Sequence, residues 1–162
     1  MNRHRDGREP EPAPPSREVP PAQLQQVLIL AVDALRAVVR DDWDSAFDAV
    51  DNIDVLAGGP GLGLMLTVIA DWFLSAVRPP GVDASTLVQP AWLDEETGAE
   101  LDASQVDAAS AWAGRFLAAR AAKNHDMCQD LITAFPDDPD ESTRYYAAFL
   151  YACSGPFGVE GA

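Results

Sequence analysis

The chain has 162 residues, with 26 acids against 11 bases and a formal net charge of −15. That excess repels phosphates, so binding to nucleic acid or to an anionic membrane surface is not expected. The length fits one domain with an ordinary hydrophobic core. The two cysteines, Cys128 and Cys153, belong to no CxxC pair and make no disulfide framework.

Free thiols of this kind suit a reducing compartment, so a cytoplasmic protein is expected. The first apolar run, Val27 to Val32, is broken by Asp33 and Arg36 and has no small-residue cleavage site, so no secretory signal is expected. The longest weakly charged run, Leu62 to Val77, spans 16 residues and holds Asp71. A membrane span needs ~20 apolar residues.

Residues 1–21 hold six prolines, four Arg and four acids, with almost no large apolar side chain. Such a segment buries too little surface to offset its ordering entropy and is expected to be a disordered tail. Its basic tip, Arg3, Arg5 and Arg8, is the one part that would serve as a docking arm.

Apolar spacing predicts a first helix from about Ala22 to Arg40, with Leu24, Leu28, Ala31, Leu35 and Val38 on its face. Asp42 then caps a second helix, with Trp43, Ala46, Phe47, Val50 and Ile53 inward and Asp44, Asp48 and Asp51 on an acidic stripe opposite. Gly58-Gly59-Pro60-Gly61 is expected to end it. A third helix, Leu62 to Val77, has no polar face, which predicts burial. Arg78-Pro79-Pro80-Gly81 stops it.

A linker follows to residue 103, long enough to be functional or to hide short structure. Leu87, Val88, Trp92 and Leu93 are expected to pin it to the body. A fourth helix is expected from about Gln105 to Ala122, with Ser104 and Asp107 spaced like a capping box. Trp112 lies one turn before Phe116 on it. A short fifth helix runs from Asp126 to Phe135. The sixth begins at Pro139 with Asp138 as N-cap and carries Tyr145, Tyr146, Phe149, Leu150 and Cys153.

The chain reads as two related halves. At an offset of 82 residues Asp44 falls on Asp126, Ala46 on Cys128, Asp48 on Asp130, Val50 on Ile132, Leu35 on Leu117 and Ala31 on Ala113. At an offset of 76, Phe73 falls on Phe149, Leu74 on Leu150 and Ala76 on Ala152. Each half alone would expose an apolar face, and stacking would bury both. The expected fold is therefore all-α: about six helices in two similar three-helix halves. The domain would span 22–155, with halves 22–78 and 104–155, a linker 79–103 and a frayed end 156–162.

The turn from Asp41 to Ala46 resembles the turn of tetratricopeptide repeats, where a Gly-Asp-Tyr-x-x-Ala-like run joins paired helices. Asp42, Trp43 and Ala46 fit, and Ala34 supplies a small residue in the first helix. In the second copy His125 stands for the aromatic, Cys128 for the alanine and Phe116 for the small residue. The resemblance implies a protein-binding scaffold of helical hairpins.

Few residues suggest chemistry. His4 lies in the tail. His125 and Cys128, three apart at a helix start, would form a metal site with Cys153 or activate the Cys128 thiol; as replacements of Trp43 and Ala46, both are expected to pack instead. Asp71 sits in an otherwise apolar helix and needs a cation, with Arg36, Arg115 and Arg120 as candidate partners. Gly58 to Gly63 follows a helix rather than a strand and is no phosphate loop. Asp137 to Glu141 lacks the EF-hand pattern.

The leading expectation is thus a non-catalytic helical protein-interaction module without cofactor or metal, binding a protein partner through Trp92 or Trp112; a homodimer is also compatible. A second is an acidic inhibitor or mimic that covers a basic, DNA-binding surface with Asp44, Asp48, Asp51 and Asp54. A third is a small-ligand-binding protein or enzyme using Asp71.

Overall fold

A computed structural model of the chain describes residues 18–78, 81 and 91–158. Among them run five α-helices: α1 (Pro21–Val39), α2 (Trp43–Val77), α3 (Ala108–Ala121), α4 (His125–Thr133) and α5 (Pro139–Ser154). The fold is all-α, as expected, with five helices rather than six. The expected tail residues 1–17, the linker residues Leu87 and Val88, and the end 159–162 lie outside the described residues.

The count differs because the expected second and third helices form one element, bent at Gly58. There φ is 61° and ψ is −152°, a combination that glycine alone adopts readily. Helix resumes at once, and Pro60 falls in the first turn of the second leg, where its missing N–H is no loss. Gly61 is needed for a different reason: a Cβ there would lie 2.6 Å from the Ala57 Cβ and 3.2 Å from Ile53. Glycine, expected to stop the helix, instead folds it into an elbow.

The linker also hides structure. Trp92–Leu93 (β1) pairs antiparallel with Glu100–Leu101 (β2), Trp92 opposite Leu101. Asp94 closes the hairpin by accepting from the amides of Glu96 and Thr97 at 2.9 and 2.8 Å, and Gly98 supplies the positive φ of 68°. Two residues per strand are too few for a periodic signal. A single 3-10 turn, Ala103–Gln105, then leads to α3. The cap of α3 is Asp107 rather than Ser104, because its carboxylate accepts from both the amide and the hydroxyl of Ser110, at 3.0 and 2.8 Å. Asp138 caps α5 as expected, accepting from the amides of Asp140 and Glu141.

Two turns share one geometry. At the end of α1 the Asp41 amide donates to Val38 and the Asp42 amide to Ala37, both at 2.9 Å. At the end of α3 the Lys123 amide donates to Arg120 at 3.1 Å and the Asn124 amide to Ala119 at 2.9 Å. This is the paired bonding of a Schellman cap, and it requires a left-handed residue. Asp41 takes it with φ 58° and Lys123 with φ 54°. Asp42 and Asn124 then cap the next helix, each accepting an amide three residues on at 3.1 Å. At the 76-residue offset Phe73 and Leu74 are half-buried where Phe149 and Leu150 are fully buried, and Ala76 and Ala152 are both exposed.

The core is continuous across all five helices. Val27, Ala31, Ala34 and Leu35 of α1 and Ile53, Met65 and Ile69 of α2 join Phe116, Phe149, Leu150 and Cys153 in it. Trp112 stands at its aromatic end: it stacks on Phe116 at 5.2 Å and meets Phe135 edge-on at 5.1 Å. Its indole N–H donates to the Leu131 carbonyl at 2.9 Å, which ties α3 to α4. The second leg of α2, expected to be buried all round, buries one face; Leu62, Leu64, Val68, Trp72, Phe73 and Leu74 are half-buried. α1 and α2 are each long and apolar enough to cross a membrane, a test that the core helix of a soluble protein also passes.

Candidate docking groove and the α2–α3 ion pair

A groove of about 540 Å³ opens where α3, α5 and the β-hairpin meet the end of α2. Its floor follows from sequence spacing. Ser110, Ala113, Gly114, Leu117 and Ala118 fall at i, i+3, i+4, i+7 and i+8 on α3, which is one helical face. Ala148 and Ala152 face them from α5. Small side chains between two helices leave a trough that larger ones would fill. The walls are large: Phe73 from α2, Trp92 and Leu93 from β1, Leu101 from β2 and Tyr151 from α5.

The rim is acidic. Asp107 lies at one end, its carboxyl held below the usual range chiefly by the Ser110 amide. Asp94, in the hairpin turn, is lowered likewise by the Thr97 amide. The Tyr151 hydroxyl donates to Glu95 at 3.4 Å, which joins α5 to the hairpin. Tyr151 and Leu93 are 62 and 60 % exposed, large for side chains of their kind. The groove therefore offers mainly apolar area, with carboxylates on the adjoining hairpin.

Of the candidate functional residues, Trp92 alone lines this groove. Trp112 was expected to be an exposed anchor; it is 5 % exposed and belongs to the core, because its indole finds its acceptor inside. Asp71 lies outside the groove. Arg120 donates to it from Nε at 3.1 Å and from Nη2 at 2.8 and 2.9 Å to its two oxygens. Of the three candidate cations Arg120 is thus its partner, and the pair is half in solvent, with Asp71 50 % and Arg120 17 % exposed. The Asp71 carboxylate raises the Arg120 pKa, mainly by hydrogen bonding.

His125 is exposed at the start of α4, whereas Cys128 is buried beneath it. Among the described residues, no three His, Cys, Asp or Glu gather into a ligand set. Burial pushes the Cys128 thiol up, against the pull of Arg120, so the thiol is not activated. Cys153 is pushed up to about 12 by burial alone. Asp44, Asp48, Asp51 and Asp54 are all exposed on the first leg of α2. Leu93, Leu101 and Tyr151 were missed as groove residues. The hairpin that positions the first two has no sequence periodicity, and Tyr151 falls outside the inward set of its helix, Tyr145, Tyr146, Phe149, Leu150 and Cys153.

The chain matches no protein-family model, no curated protein and no solved structure.

Proposed function

We propose that the chain is a non-catalytic helical module that docks a partner protein in the groove between α3, α5 and the β-hairpin. The observation that carries this is the trough of Ala113, Gly114, Ala118, Ala148 and Ala152 under exposed aromatic and aliphatic walls. Of these walls Leu93 and Tyr151 stand exposed, and a docked partner would take their apolar surface out of water. The two unpaired, buried cysteines fit a cytosolic setting. Negative charge argues against nucleic acid and anionic membrane as partners.

The finer architecture belongs to the same proposal. The chain is two related halves, α1 with both legs of α2 and then α3 with α4 and α5, in the manner of helical-hairpin repeats. The matched turns at Asp41 and Lys123 support it, as does burial of Ala31, Leu35 and Ala46 together with Ala113, Leu117 and Cys128. Trp43 keeps its place beside the first turn, where its indole donates to Asp41 at 3.1 Å.

The test is capture from the native host with the wild type and with Ala152→Trp. Ala152 is exposed and lines the groove, so the indole fills the trough without entering the core. A partner recovered by the wild type should be lost from the variant while its helical circular dichroism is unchanged. Equal recovery by both would contradict the groove as the docking site.

A second reading has its own observation. Asp44, Asp48, Asp51 and Asp54, all exposed, would let the first leg of α2 cover a basic surface as an acidic mimic. Replacing the four with Asn would then abolish capture, whereas Ala152→Trp would not.

A further inference from the structure

Resting on the docking reading above, we propose that the occupant of the groove is a partner segment that carries a large apolar or aromatic side chain flanked by lysine or arginine. The floor sets the first requirement. Ala113, Gly114, Ala118, Ala148 and Ala152 leave depth, and the contacts they offer are apolar. A side chain that fills this depth displaces water from Phe73, Trp92 and Leu101 as well.

Charge complementarity sets the second. From Ala91 to Gly114 the chain holds Asp94, Glu95, Glu96, Glu100, Asp102 and Asp107, and no Lys, Arg or His. They stand on the hairpin and turn that carry the wall residues Trp92, Leu93 and Leu101, and of the six Asp107 alone lines the groove itself. Asp94 and Asp107 are engaged in turn and cap hydrogen bonds, and Glu95 meets Tyr151. Glu96, Glu100 and Asp102 are exposed and, among the described residues, none of them is in an ion pair. The field of these hairpin carboxylates beside the groove repels an anionic ligand and attracts a cationic one. A cationic flank meets them and is steered in from solution.

Titration of the 15N-labelled chain with two short synthetic peptides tests this. Each carries one Trp, between Lys-rich flanks in the first and Glu-rich flanks in the second. The Lys-flanked peptide should shift the amides of Ser110, Gly114, Ala118 and Ala152, and the Glu-flanked one should not. Ala152→Trp should abolish the shifts, and the double variant Glu96→Lys/Glu100→Lys should weaken binding about tenfold. Shifts confined to Asp44–Asp54, equal binding of both peptides, or unchanged affinity in the double variant would overturn the proposal. The docking reading is separable from it. A host partner lost by Ala152→Trp but fully kept by Glu96→Lys/Glu100→Lys overturns the basic-segment claim alone, and one kept by Ala152→Trp overturns both.

Discussion

Arg120 grips Asp71 through both carboxylate oxygens, with Nη2 at 2.8 and 2.9 Å and Nε at 3.1 Å, and so joins α3 to the second leg of α2 across 49 residues of sequence. The geometry is good, but Asp71 is half in solvent, which limits what it contributes. A double-mutant cycle of Asp71→Asn and Arg120→Met in urea should give a coupling of about 0.5–1 kcal/mol, shrinking at high salt. A coupling of zero at low salt would show the pair to be incidental.

The elbow of α2 predicts a contrast between two glycines. Gly58→Ala forces a side chain into a glycine conformation and should cost ~1–3 kcal/mol. Gly63 lies inside the second leg with open space around its Cβ position, so Gly63→Ala should be neutral or stabilising by ~0.5–1 kcal/mol. Thermal unfolding of the two variants reads the difference directly, and equal melting temperatures would mean that the elbow is not rigid.

The two left-handed turn residues also differ. Lys123 adopts φ 54° with an exposed side chain, so Lys123→Gly should stabilise by ~0.5–1 kcal/mol. Asp41→Gly relieves the same strain but removes the acceptor of the Trp43 indole, so its gain should be smaller. Chemical denaturation of both, side by side, checks the order.

Alkaline pH should unfold the chain from within. Burial raises Cys153 from 9.0 to about 12 and, with Asp54 nearby, Tyr146 from 10.0 to about 12. The unfolded chain loses these protons first. Stability is therefore intact below about pH 9 and falls as pH climbs toward 12. The urea midpoint should decline over that window, and less steeply in Cys153→Ala. A midpoint that stays flat to pH 12 would contradict the burial of both groups.

Much of the fold was legible because its signals are local. Asp42 and Asp138 announce their caps by residue type, and the turn after α3 is found from the turn after α1 by a shift of 82 residues. What escaped depends on tertiary context. Gly58 looks like a stop, but helix resumes at once beyond it, and the close approach of Ile53 and Ala57 leaves no room for a Cβ at Gly61. Trp112 looks like an anchor until Leu131, 19 residues on, offers its carbonyl. Asp71 was legible as a residue in need of a cation, but the choice of Arg120 over Arg36 or Arg115 is a matter of helix placement. The groove was the least legible. Its floor is a face of alanines, which in sequence reads as ordinary helix, and its wall is a hairpin of two-residue strands.

The most direct measurement of the central claim is photo-crosslinking from within the groove. A benzophenone side chain at position 152, which lines the groove, is compared with one at position 55, where Val55 is 87 % exposed and lies outside it. The account predicts one discrete adduct from position 152 in host extract and none from position 55. An adduct of equal yield from both positions, or from position 55 alone, would contradict it.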